Sequence, residues 1–282
     1  MSLKIRAAQL LCVVGLGVLS AQAMAINCQK AGTQAEKLIC SDRKAVAADA
    51  ELNRAYAALL KQAPDDEIRT AIKDGQRQWV NARDRALERL ADNPDSLQDD
   101  DATPGSIAAK LIAARAADLK AHPKNSTTPA MISAALRQRE FRKQFTGGPF
   151  SGYDVSCDVL PPYEVYGCFA IRHYQNNDRV CSVEDYWATG SVYVQRYVAK
   201  LVDNKPVPVA SCSFNGNDAN CPGGIADDAH WNTGPEVHKV DYPTSPLARL
   251  AVDIDDSDDY TWLQACLTDK TFPLSNPTSA GK

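Results

Sequence analysis

The feature that most constrains this chain is the placement of its cysteines. Nine occur in 282 residues. Cys12 falls in an N-terminal leader, and eight follow it: Cys28, Cys40, Cys157, Cys168, Cys181, Cys212, Cys221 and Cys266. An even set in a chain that leaves the cytoplasm favours complete pairing. The spacings contain no CxxC and no CxxxH, the close ligand pairs that a zinc site uses, so no metal and no cofactor is expected. Two cysteines stand near the start and six crowd into residues 157–266. The chain is therefore expected to comprise two differently built parts, with most of the covalent stapling in the second.

The leader has the three zones of an export signal. Lys4 and Arg6 give it a positive start, Ala7–Leu19 is apolar except for Gln9, and Ser20–Ala25 reads S-A-Q-A-M-A, with small residues where a signal peptidase cuts. The apolar run is shorter than the roughly 20 residues needed to span a bilayer. Cleavage is expected after Ala25, making residues 1–25 a signal peptide. Cys28 follows Ala25-Ile26-Asn27, a poor match to a lipid-attachment site, and no later stretch is apolar enough to span a membrane. The expected product is periplasmic or secreted, with no membrane anchor. Loss of Lys4 and Arg6 leaves 29 basic residues against 35 acidic ones, a net charge of −6. That balance disfavours nucleic acid, whose binding draws on phosphate contacts from Lys and Arg, and suits a basic partner.

Composition changes along the mature chain. Residues 33–145 are rich in Ala, Leu, Arg, Gln and Glu, good helix formers. Leu52, Tyr56 and Leu59 recur at helical spacing, and Pro64-Asp65-Asp66 ends that helix and opens the next. Ile68, Ile72, Trp79, Ala86 and Leu90 form a second stripe. After the acidic segment Asp92–Ser106, a third helix over Ile107–Ala121 carries Ile107, Leu111 and Ala114, with Ile112 and Leu119 alongside. Residues 122–149 hold a proline-bracketed linker, His122–Pro129, and a connecting helical segment, Met131–Phe145. From residue 150 the chain turns to Val, Tyr, Cys, Asn, Pro and Gly. Strand character marks Val165–Ile171, Gly190–Val202 and Val207–Phe214, with turn signals at Asp203-Asn204 and Asn215–Asp218. Six cysteines admit 15 pairings; Cys212–Cys221, across the second turn, is the favoured local bridge. The expected class is α+β: an antiparallel helical bundle over 26–121, the connection, then a disulfide-stapled, mainly antiparallel β domain over 150–282.

An ordered set of residues lies in the first part: Asn27-Cys28-x11-Cys40-Ser41-Asp42, Asp49-x2-Leu52-x3-Tyr56-x2-Leu59, Gln76-x2-Trp79-x3-Arg83-Asp84 and Arg115-x3-Leu119. Over residues 27–120 this resembles the N-terminal domain of the LprI lysozyme-inhibitor family, a small helical module of exported bacterial proteins. The resemblance implies a Cys28–Cys40 bridge and structural roles for Leu52, Tyr56, Gln76, Trp79, Arg83, Asp84, Arg115 and Leu119, with Arg83 pairing to Asp49 or Asp42. Many relatives carry a further cysteine shortly after the Arg-Asp pair; here Ala86 stands there, and no cysteine occurs between Cys40 and Cys157. The resemblance does not reach the second part.

Catalytic patterns are sparse. Of four histidines, His122 sits in the linker, and His230 and His238 flank a turn-rich loop preceded by Asp227 and Asp228. The chain contains no nucleophile elbow, HExxH or P-loop. Asp253-x-Asp255-x-Ser257-x-Asp259 opens like a calcium loop, but Asp258 stands where glycine is required and Gln264 where a bidentate glutamate is required. Asp99, Asp100, Asp101, Asp255 and Asp256 are instead candidate contacts for a basic partner. The resulting expectation is an exported, non-catalytic protein that binds another envelope protein, concretely a basic lysozyme-like muramidase. The alternatives are a hydrolase or glycan-binding activity in the β domain, or an immunity-type partner-binding role.

Overall fold

The computed structural model describes residues 25–94, 102–160, 165–216, 219–223, 229–242 and 245–274. Residues 1–24, the acidic run Asp99–Asp101 and the pair Asp227-Asp228 lie outside the described residues.

Each of the first four helices starts at a polar cap. Thr33 and Glu36 form a reciprocal capping box at α1 (Gln34–Ser41), and Asp42 accepts from the Lys44 and Ala45 amides at α2 (Arg43–Gln62). Asp65 accepts from the Ile68 amide at α3 (Asp66–Asp92). Thr103 caps α4 (Pro104–Lys120), whose proline occupies the first turn. Such caps contribute about 1 kcal/mol each. A fifth helix, α5 (Ala130–Arg142), follows the linker. α2 packs along α4, and α1 lies against α3 and α4. The interior holds Ile39, Leu52, Leu59, Ile68, Ile72, Trp79, Leu87, Leu90, Ile107, Leu111, Ile112 and Leu119. Ala114, expected on the buried stripe of the third helix, is exposed. The buried position one turn beyond Leu111 is Arg115.

The second part is a five-stranded antiparallel meander in the order β1 to β5: β1 (Gly152–Leu160), β2 (Val165–Asn176), β3 (Arg179–Ala188), β4 (Ser191–Val202) and β5 (Lys205–Ser213). Hairpin turns take left-handed backbone at Thr189-Gly190 and at Asp203-Asn204, the conformation that two-residue turns between twisted strands require. β1 and β3 carry no plain alternation. In β3, Val180, Cys181, Ser182 and Val183 are buried in succession, because both faces of the sheet are covered. One face receives α6 (Tyr260–Thr268), held by Cys181–Cys266, and packs Val183, Val198, Ala210, Leu263 and Leu267. On the other face the Tyr242 ring lies 5.1 Å from His173.

Two features join the parts. Met131, Ile132 and Ala135 of α5 enter the helical core, while Phe141, nearer its end, enters the sheet core. The segment 249–256 runs between them as a strap. Its Leu250 and Val252 enter the helical core, and Ala251 and Ile254 pack with Tyr153 and Ala170 of the sheet.

Candidate functional site at the helix–sheet seam

The strap is positioned by polar groups that come from the helices. Arg115 is 2 % exposed and donates two bonds to the Asp253 carboxylate, at 2.5 and 3.2 Å. Gln76 Oε1 accepts from Arg115 Nε at 3.2 Å, and the guanidinium stands over the Tyr166 ring of β2 at 5.4 Å. Gln138 of α5 is fully buried; its amide nitrogen donates to the Ala251 and Ile254 carbonyls at 2.9 and 3.0 Å, and its oxygen accepts from the Ala251 amide at 2.9 Å. Gly75 permits the approach: a Cβ there would lie 2.7 Å from Asp253 Oδ2 and 2.8 Å from a Val252 methyl.

The remaining motif residues organise the interior of the helical part. Asp49 is 4 % exposed. Its carboxylate accepts from the Ile26 amide at 2.8 Å and from Asn53 at 3.2 Å, and Arg83 stands 3.8 Å away. Arg83 bonds Asp84 at 2.7 Å and lies over the buried Trp79 ring at 5.1 Å. Cys28–Cys40 closes the start of the chain on α1, while Leu52 and Leu119 are buried and Tyr56 is half-buried. Gln76 and Arg115 thus share one cluster, and Trp79, Arg83 and Asp84 share another.

The acidic run of the strap is divided between surface and interior. Asp253 turns to Arg115. Asp255 is exposed, accepts from Ser257 at 2.8 Å and faces Arg137 at 3.5 Å; Asp258 is exposed as well. Asp256, expected among the carboxylates facing a partner, is 3 % exposed. It accepts from the hydroxyls of Tyr153 at 2.6 Å, Tyr174 at 2.7 Å and Tyr260 at 2.8 Å, which satisfies a buried carboxylate without a cation. It is an interior residue and not one of the surface carboxylates. Burial pushes all three phenols above their ordinary range, with the nearby Asp256 charge adding to it. Asp259 accepts from Arg172 at 2.9 Å and lies 3.5 Å from Arg196. Asp185 also takes Arg172, and burial raises its carboxyl despite that arginine. The calcium-like spacing is therefore directed to arginines and a serine, and among the described residues no group of His, Cys, Asp and Glu is placed to hold a metal.

Elsewhere the chemistry is dispersed. His122, His230 and His238 are exposed. His173, which no sequence pattern singled out, is 1 % exposed and its Nδ1 lies 2.7 Å from Ser182 Oγ. Burial lowers its imidazole to about 4. The six later cysteines pair as Cys157–Cys168 across β1 and β2, Cys181–Cys266, and Cys212–Cys221. The first and last join near neighbours, 11 and 9 residues apart, and the reach of the second over 85 residues could not be read from spacing. Among the described residues no helix is long and apolar enough to cross a membrane.

Comparison with known proteins assigns the first part only. The model of a family described as lysozyme inhibitor LprI matches residues 25–122. No curated protein and no solved structure matches the chain. The matched segment contains α1 to α4 with the Gln76–Arg115 and Asp49–Arg83 clusters, whereas Asp253 and Gln138 lie beyond it. Residues 25–122 thus match the model of the lysozyme inhibitor LprI family, and the cysteine-rich sheet that follows matches no family model.

Proposed function

We propose that the protein is exported, acts outside the cytoplasm as a non-catalytic binding protein, and inhibits a basic lysozyme-like muramidase. The observation that carries this reading is the family match over residues 25–122. Four disulfides support an oxidising compartment. The acidic balance supports a cationic partner, since complementary potential speeds encounter. Asp255 and Asp258 are the described carboxylates of the acidic turn that remain at the surface; with the Asp99–Asp101 run they are the proposed contacts. In this reading residues 26–121 form the helical module, 122–149 the connection and 150–282 the β domain.

The test is lysis of a cell-wall suspension by lysozyme, with and without the purified chain from Ile26 onward. Slowing at low salt that weakens as salt rises is the expected result, because screening shortens the reach of surface charge to about 8 Å at physiological ionic strength. Unchanged lysis at low salt, with the protein in large excess, rejects inhibition.

One observation favours a second reading, glycan binding by the sheet. Trp187 is 40 % exposed near the tip of the β3–β4 hairpin, with Phe169 6.5 Å away and Tyr186 stacked on Tyr193 at 5.4 Å. Co-sedimentation with insoluble peptidoglycan that is lost in Trp187→Ala would select it over inhibition.

A further inference from the structure

The last turn of α5, the loop after it, β2 and the beginning of the strap enclose a pocket of about 240 Å³ lined by Glu67, Arg139, Arg142, Lys143, Gln175 and Arg249, among others. Four cationic side chains meet there, and three have carboxylate partners. Arg139 pairs with Asp65 at 2.5 Å, Lys143 with Glu140 at 2.8 Å, and Arg249 with Glu67 at 3.2 Å.

Arg142 differs. Its described hydrogen bond goes to the backbone carbonyl of Arg249, and among the described residues no carboxylate comes within ion-pair distance of it. It is half-buried. A desolvated guanidinium beside other cations is unfavourable unless negative charge is placed against it. One more donor belongs to the lining. Ser151 Oγ accepts from the Gln175 amide at 3.0 Å, which leaves its own proton for another acceptor.

We propose that this pocket binds a compact oxyanion, a phosphate or carboxylate group, with Arg142 as the principal ligand and Arg249 and Ser151 beside it. A guanidinium fork matches such a group with two parallel donors, and the volume suits an ion or the anionic end of a small molecule. Because the lining draws on α3, α5, β2 and the strap, an occupant bridges the helical part to the sheet. The proposal stands independently of muramidase inhibition, since no part of the pocket belongs to the acidic surface assigned to that role.

The test is isothermal titration of the chain from Ile26 onward with inorganic phosphate and, separately, acetate, against sodium chloride at matched ionic strength. Thermal unfolding is followed in the same solutions. Saturable binding of phosphate or acetate, with a rise in Tm that chloride does not reproduce, is expected. Arg142→Gln should weaken it at least tenfold, whereas Lys61→Gln, at an exposed residue outside the lining, should change it less than threefold. No saturable binding of either anion to the wild-type chain overturns the proposal, as does wild-type affinity in a folded Arg142→Gln. Should Arg142→Gln fail to fold, Arg249→Gln takes its place beside the wild-type titration, and undiminished affinity in that variant likewise overturns it.

Discussion

Arg115 of α4 and Asp253 of the strap form a bidentate ion pair across 138 residues of sequence, with side chains only 2 % and 8 % exposed. A buried pair gains little over a well-packed apolar pair, but removing one member strands the other charge at roughly 3–5 kcal/mol. Arg115→Leu and Asp253→Leu should each cost about that much in urea unfolding. The double variant should cost less than the sum of the two. Additive losses would show that the charges are not coupled.

Gly75→Ala tests the close approach of the strap to α3. In an unconstrained helix this change should stabilise by up to about 1 kcal/mol. Here the new methyl would fall on Val252 and on an Asp253 that Arg115 holds in place, so a net loss of stability is expected. Chemical denaturation gives the sign directly, and a gain would mean that the strap yields easily.

His173 is buried in its neutral form, with its imidazole lowered from 6.5 to about 4. The unfolded chain therefore binds a proton between those two values while the native chain does not, and stability falls as pH drops through that window and levels off below it. The full effect is roughly 3 kcal/mol. Between pH 7 and pH 4 the wild type should lose about that much more stability than His173→Asn. Equal losses would mean that the native histidine takes up its proton as readily as the unfolded one.

The disulfides should differ in their contributions according to the chain they close. Cys181–Cys266 spans 85 residues and Cys212–Cys221 spans 9. Chain entropy predicts roughly 4–5 kcal/mol for the first and roughly 2–3 for the second. Paired Cys→Ala variants compared by denaturant unfolding should keep that order. The first should also release α6 from the sheet, seen as faster amide exchange over Tyr260–Thr268.

The helices and their inward stripes were legible because the 3.6-residue period is local, and Trp79, Ala86 and Leu90 sit where such a period places them. Arg83 near Asp49 was legible through the family resemblance. The seam was not. Arg115 occupies a buried position of α4 that an apolar pattern passes over, and its partner is more than a hundred residues distant. Asp253, Asp256 and Asp259 look like part of a solvated acidic run because sequence records their charge and not the direction each side chain takes. β1 and β3 were missed because edge residues such as Asp154 and the doubly covered stretch Val180–Val183 both lack clean alternation.

The position of α5 bears on where this protein can be cut. Met131, Ile132 and Ala135 complete the helical core from outside the family segment, and Val159, Leu250 and Val252 add to it from still farther along the chain. A fragment ending at residue 122 would therefore uncover apolar surface on every side from which these residues approach. The unit that melts as one should be larger than the unit that homology delimits, with a single calorimetric transition covering helices and sheet together.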